Sequence, residues 1–74
     1  MIYVISMLAP SPGEGLRTHW FAGIDPANGF PTWTTENHHA VRIIHRQSAE
    51  VWRYAIAAER FEPIQNIEIG EVLA

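Results

Sequence analysis

The four histidines, His19, His38, His39 and His45, are the first residues in this sequence that could do chemistry. Imidazole is a common metal ligand, so four of them raise the question of a zinc-type site. Their spacing argues against one, because adjacent residues of a strand point to opposite faces and neither an HEXXH pattern nor a cysteine is present. We therefore expect no metal and no cofactor, and predict either ordinary loop histidines or a contact of His38 and His45 with the neighbouring acids.

The acidic residues raise the question of catalysis by two converging carboxylates. A chain of 74 residues has little concave volume for such a pocket, so we expect no catalytic residues and no enzyme activity. Glu62, Glu68 and Glu71 crowd the C-terminal segment. We predict that these acids protect an exposed strand, with an acidic surface for an arginine-rich partner groove as the alternative.

Arg46, Arg53 and Arg60 recur every seven residues, which places them along one ridge of a helix, with Arg42 at its entry. We favour a solvated face on which Glu50 pairs with Arg46 and Arg53. The alternative is a ridge that binds a partner or an anion. The net charge of −3 argues against direct nucleic-acid binding, because such binding depends on clustered cations.

Trp33 stands in a segment rich in proline and threonine, which we predict to be a pinned loop. An indole in such a loop either closes the core as a lid or anchors an interface. We favour the lid. Thr35 is expected to cap a single turn that begins at Glu36.

Length and composition predict one domain, residues 1–74, with one core. The longest apolar run, residues 2–10, falls short of the ~20 residues of a membrane helix, so we expect no membrane partner. The absence of cysteine fits a reducing compartment, and we expect a cytoplasmic location.

Alternating apolar and β-branched residues predict strands at residues 2–8, 19–24 and 41–44. Pro10 and Pro12 are expected to end the first strand in a hairpin loop, and Asn28-Gly29 to form a turn after the second. A last strand is predicted at residues 64–73, with Ile67 and Ile69 inward and a β-bulge at Gly70.

One helix is predicted over residues 48–59, with Ser48 as its N-cap and Glu50 in its first turn. Its core-facing stripe would be Val51, Trp52, Ala55 and Ile56, and the arginines and Ala57 would take the opposite face. These elements predict an α+β fold, in which a small antiparallel sheet of about four strands, in the order ββ-β-α-β, carries one helix on one face.

The central segment, residues 33–50, has a pattern in which a Trp-Thr and an acid precede an alanine, a large apolar residue and a second alanine. These positions are Trp33, Thr34, Glu36, Ala40, Ile43 and Ala49. The pattern resembles small phage and prophage accessory proteins of ββ(loop)βαβ type. Some proteins of this size and origin are anti-CRISPR inhibitors, which bind a host nucleoprotein complex and are not enzymes.

The sequence and this resemblance together predict a non-enzymatic, phage-type binding module that acts by protein–protein contact. Its most specific version is an inhibitor of a host CRISPR–Cas complex in the host cytoplasm. The interface would be the acidic last strand or the arginine ridge, with Trp33 as an anchor. A nucleic-acid or anion-binding module and a histidine-based metal-binding protein are the alternatives, and pairing of the first or last strand could form a homodimer.

Overall fold

The computed structural model describes residues 1–72, which form a four-stranded antiparallel sheet with one α-helix packed on it. The strands are β1 (Ile2–Ser11), β2 (Gly15–Ile24), β3 (Pro31–Thr34) and β4 (Glu68–Val72), and the helix is α1 (Arg46–Arg60). Two single-turn 3-10 helices lie at Asn37–His39 and Ile64–Asn66. The order of strands across the sheet is β3-β2-β1-β4. The predicted α+β class is confirmed.

The hairpin of β1 and β2 is longer than the sequence indicates. Pro10 pairs with Leu16, and the ladder continues to Ser11 and Gly15, so the expectation that Pro10 ends the strand is wrong. β4 pairs only with Ile2–Ser6 of β1, which leaves the far half of β1 as a sheet edge. Proline is tolerated at an edge, because its missing N–H removes no ladder hydrogen bond there.

The third strand is not where the sequence places it. Pro31–Thr34, in the predicted loop, forms β3, and the predicted strand at residues 41–44 is reduced to one bridge between Tyr3 and Ile43. The two residues exchange backbone hydrogen bonds of 2.8 and 2.9 Å. β2 pairs with β1 only up to Trp20, and residues 41–43 occupy the place beside the start of β1.

The helix begins at Arg46, and its N-cap is His45, which makes no side-chain cap hydrogen bond. The predictions that Ser48 caps the helix and that Glu50 lies in its first turn are therefore wrong. Thr35 does not cap the 3-10 turn either, because the N-cap residue of that turn is Glu36. The N–H of Glu36 donates a hydrogen bond to the hydroxyl oxygen of Thr34.

The buried face of α1 differs from the predicted stripe. Ile56 is buried as expected, but Val51 is 69% exposed and Ala55 is exposed. Ala49 and Ala57 are buried instead. Ala57 was predicted to face solvent. Trp52, also predicted to face the core, is 37% exposed, with its ring centroid 5.3 Å from that of Phe21. The small side chains of Ala49 and Ala57 allow the helix backbone to lie close to the sheet.

The C-terminal strand begins later than predicted, because Ile64–Asn66 forms a 3-10 turn. Ile67 is fully buried and Ile69 packs against the core, as expected. The register of β4 against β1 is continuous through Gly70, so the predicted bulge there is wrong. The register shift in this sheet lies in β2, between Phe21 and Gly23. Leu73, the predicted end of the strand, lies outside the described residues.

Candidate functional site

The acidic residues of the C-terminal segment do not share one surface. Glu68 and Glu71 are three positions apart on β4, so their side chains lie on opposite faces of the sheet. Glu71 lies on the helix side, where its Oε1 is 3.8 Å from Nη1 of Arg46. Glu62 lies beyond the end of α1 and accepts a hydrogen bond from Nδ2 of Asn66 at 3.1 Å. The three carboxylates are thus separated.

The arginine ridge, defined as Arg46, Arg53 and Arg60, lies on the side of α1 that faces the sheet. The side chain of Arg53 is only 25% exposed. Its Nε donates to the carbonyl of Ile67 at 2.5 Å, and its Nη2 donates to the carbonyl of Ile64 at 3.2 Å. The central guanidinium of the ridge therefore holds the helix to the segment before β4.

The two outer arginines of the ridge also contact their own protein. The guanidinium of Arg60 lies over the Trp33 ring, 5.4 Å from its centroid. That of Arg46 lies 5.9 Å from the centroid of the Tyr3 ring. The predicted ion pairs of Glu50 are present, at 3.8 Å to Arg46 and 3.7 Å to Arg53. Each of the three guanidinium groups of the ridge therefore has a partner within the protein.

Trp33 lies in β3, opposite Phe21, and packs against the core. Its ring meets that of Phe21 edge to face, with centroids 6.1 Å apart and an interplanar angle of 67°. Its Nε1 is buried and has no hydrogen-bond partner among the described residues. This position is that of a lid over the core, with Arg60 above it.

Two histidines converge on one acid in the turn after β3. Nε2 of His38 lies 3.5 Å from Oε2 of Glu36, and Nδ1 of His39 lies 3.2 Å from the same oxygen. The predicted contact of His38 with a neighbouring acid is therefore confirmed. His45 forms no ion pair within residues 1–72.

The outward side of α1 carries an apolar surface that includes Val51 and Ala55, two residues predicted to face the core. We call it the outer stripe. It consists of Val51, Tyr54, Ala55, Ala58 and Phe61. All five are exposed, with Tyr54 at 63% and Phe61 at 96%. A spacing of three, four and three between Val51, Tyr54, Ala58 and Phe61 is that of the contact seam of paired helices.

Phe61 has an unusual backbone conformation. It is the C-cap residue of α1 and lies in the left-handed region, with φ 54° and ψ 34°. Its N–H bonds the carbonyls of Ala57 and Ala58, as in helix C-caps that glycine usually forms. Among the described residues it is the only non-glycine with positive φ. A large side chain therefore stands in water at a position that favours glycine.

Charge is distributed unevenly around the helix. Glu59 and Glu62 lie close in sequence to the C-terminal part of the outer stripe, and neither forms an ion pair with any residue in the described range 1–72. The arginine ridge lies on the opposite side of α1, against the sheet. Two acids without an ion-pair partner in this range thus lie close in sequence to the outer stripe, and we call Glu59 and Glu62 its acidic border.

A groove of about 330 Å³ opens where the end of the hairpin meets the segment before β4. It is lined by Ser6, Met7, Leu8, Leu16, Thr18, Gln65, Asn66 and Glu68. Glu68 is the only ionisable residue in this lining. The groove thus contains no pair of groups that could act together as acid and base.

Comparison with known proteins finds no matching family, no matching curated protein and no matching solved structure. Within residues 1–72, no helix combines the length and the apolar character needed to cross a membrane.

Proposed function

We propose that this protein is a non-enzymatic binding module that attaches to a protein partner through the outer stripe of α1. The observation that carries the proposal is Phe61, an aromatic residue 96% exposed in a left-handed backbone conformation. A cytoplasmic location belongs to the same proposal and is supported by the absence of cysteine.

The exposure of Phe61 is costly to the free protein in two ways. Its left-handed conformation is disfavoured for a residue with a Cβ, and glycine at this position would relieve that strain. Its ring also stays in water, although an aromatic side chain gains free energy when it is buried. A residue that stabilises neither the helix end nor the core is explained if a partner buries it. Strained positions of this kind cluster at binding sites.

The rest of the outer stripe supports a helical or groove-shaped contact. Tyr54 and Phe61 are seven positions apart, with Ala58 between them, so two aromatic side chains flank a small residue. Tyrosine is enriched among the residues that dominate binding energies, and small residues permit close approach of a second backbone. The expected partner segment therefore places apolar side chains between and around these two rings.

The acidic border indicates the charge of the partner. Glu59 and Glu62 have no cationic partner among the described residues, so a segment that carries arginine or lysine beside its apolar residues would complement them. A second copy of the chain would bring like charges together at this surface. We therefore assign the outer stripe to a basic amphipathic segment of another protein.

The test is an NMR titration of the ¹⁵N-labelled protein with two synthetic amphipathic helical peptides. Both carry the same leucine stripe, and they differ only in lysine or glutamate on its flanks. We expect the basic peptide to shift amide signals of residues 47–62, and the acidic peptide to bind at least tenfold more weakly. Equal binding of the two peptides, shifts confined to the sheet, or no shifts at all would overturn the proposal.

Two variants separate the outer stripe from other exposed apolar residues. Phe61→Gly removes the ring and relieves the left-handed strain, so it should fold and lose at least tenfold in affinity for the basic peptide. Leu16→Ser is the matched control, because Leu16 is 68% exposed but lies in β2, in the lining of the groove. The Leu16→Ser variant should keep the affinity for the basic peptide within about twofold of the unaltered protein.

Light scattering of the free protein tests whether a second copy of the chain occupies the outer stripe instead. A stable dimer that is lost in Phe61→Gly would contradict our assignment.

The most specific version of this proposal is that of a phage-encoded inhibitor which binds a host CRISPR–Cas nucleoprotein complex. Such complexes carry basic protein surfaces that hold nucleic acid, and these would complement the acidic border of the outer stripe. An interference assay in the native host tests it. Protection of an invading phage should be lost with Phe61→Gly and retained with Leu16→Ser. If neither variant nor the unaltered protein changes interference, this version is wrong while the peptide result stands by itself.

A further inference from the structure

The cluster of Glu36, His38 and His39 offers three metal ligands at one point of the surface. One ligand atom of each residue lies within 4.8 Å of those of the other two. We propose that this cluster binds one divalent transition-metal ion, with zinc as the best match. The proposal is independent of the outer stripe, because it concerns the turn after β3 and no residue of α1.

The distances within the cluster are close to those of a tetrahedral site. Zinc bonds nitrogen and oxygen ligands at about 2.1 Å, so two ligand atoms of a tetrahedron lie about 3.4 Å apart. Oε2 of Glu36 lies 3.5 Å from Nε2 of His38 and 3.2 Å from Nδ1 of His39. Two of the three separations therefore match before any ion is present. Rotation of the exposed rings, whose centroids are 4.1 Å apart, would adjust the third.

The turn that carries the ligands is held by its backbone. The N–H of His39 donates to the carbonyl of Glu36, and the N–H of Ala40 donates to that of Asn37, each at 3.0 Å. The N–H of Glu36 donates to Oγ1 of Thr34, the last residue of β3. Ala40 is buried, which fixes the end of the turn against the protein. The three Cα positions are thus set by the fold, and only side-chain torsions remain to be ordered.

The ligand set selects the class of ion. Two imidazoles and one carboxylate suit zinc and its neighbours in the first transition row, whereas calcium and magnesium prefer sites built from oxygen. Three protein ligands leave a fourth tetrahedral position for water or for a ligand from a second molecule. All three residues are exposed, so an ion reaches them directly from solution.

The experiment is isothermal titration of the untagged, metal-free protein with zinc chloride, followed by NMR of the zinc complex. We expect one zinc ion per chain and shifts of the imidazole nitrogens of His38 and His39. Glu36→Gln, His38→Gln and His39→Gln should each weaken zinc binding at least tenfold. His45→Gln is the matched control, since His45 is an exposed histidine outside the cluster, and it should change the affinity less than twofold.

Several results would overturn the proposal. These are no saturable zinc binding, an unchanged affinity in Glu36→Gln, or an equal loss in His45→Gln. Magnesium chloride that competes with zinc at equal concentration would also contradict a nitrogen-rich site. Circular dichroism of each variant checks its fold. If a variant is unfolded, the imidazole shifts in the unaltered protein decide, because a different site would move other signals.

Discussion

The guanidinium of Arg53 donates a hydrogen bond to the carbonyl oxygen of Ile67 across 2.5 Å, and so ties α1 to the residue that precedes β4. Ile67 is fully buried. The same side chain reaches the carbonyl of Ile64, so one cation satisfies two main-chain acceptors where the chain passes from a 3-10 turn into the sheet. Arg53 therefore has a structural role, although its spacing from Arg46 and Arg60 also fits an anion-binding ridge.

Replacement of Arg53 by methionine should lower the free energy of unfolding by about 1–3 kcal/mol. Methionine keeps an apolar stem but removes both donors, so the carbonyls of Ile64 and Ile67 lose a charged hydrogen-bond partner. The loss of such a partner costs about this much. Urea denaturation measures the change. Arg46→Met is the control, because its ion pairs are exposed and 3.8 Å long, and it should cost less than about 1 kcal/mol. Equal losses in the two variants would refute the role of Arg53.

Ile56→Ala should destabilise the protein by about 2–5 kcal/mol, since Ile56 is 1% exposed at the centre of the core. Val51→Ala, five positions earlier on the outward side, should change the free energy of unfolding by no more than about 0.5 kcal/mol. Thermal and chemical denaturation of both variants test which face of α1 is buried. A larger loss in Val51→Ala would restore the stripe that periodicity predicts and contradict the fold described above.

Gly29→Ala should destabilise the protein by about 1 kcal/mol, because Gly29 has φ +74° in the turn between β2 and β3. Its N–H donates to the carbonyl of Asp25 at 2.7 Å, so the turn is well defined. Gly70→Ala is the matched substitution within the sheet. The added methyl would meet Val4 at 3.7 Å, an ordinary contact, and we expect stability to be kept or raised slightly. Denaturation curves that rank the two variants in reverse would show that the continuous register of β4 is incorrect.

Phe61→Gly should leave the free energy of unfolding unchanged or raise it by up to about 1 kcal/mol. The substitution relieves a left-handed conformation and sacrifices no packing, because the side chain is 96% exposed. Tyr54→Gly, within the same outer stripe but in the helix interior, should instead cost about 1 kcal/mol. The melting temperatures of the two variants provide the comparison. A marked loss of stability in Phe61→Gly would mean that the ring packs within the protein, and the proposed interface would lose its basis.

Local patterns were sufficient for much of the fold. Interactions between residues close in sequence predict the hairpin, the turn at Gly29, one amphipathic helix, and the inward side chains of Ile67 and Ile69. The α+β class follows from the order of these elements. Each depends on residues within a few positions of one another, such as the alternation of a strand or the positive φ of a turn glycine. Their bounds were less accurate. Pro10 is tolerated in β1 because β4 pairs only with residues 2–6 and leaves Pro10 at a sheet edge, which neighbouring residues in the sequence do not indicate.

The candidate sites were decided by tertiary structure. The helix has two apolar stripes, and periodicity favoured the one with Val51, whereas the sheet accommodates the narrower one with Ala49 and Ala57. That packing places Arg53 against the segment before β4 and leaves the outer stripe in solvent. The convergence of His38 and His39 on Glu36 was missed for a related reason, because adjacent side chains point to opposite faces in a strand, whereas these two histidines lie in a 3-10 turn.

The sequence by itself determined which elements form and what chemistry each surface of them carries. Tertiary structure decided which of those surfaces meets the core, because burial rewards the fit between helix and sheet and not the hydrophobicity of one face alone. In this protein the fit of Ala49, Ile56 and Ala57 against the sheet leaves Tyr54 and Phe61 in solvent. The proposed interface is a consequence of that packing.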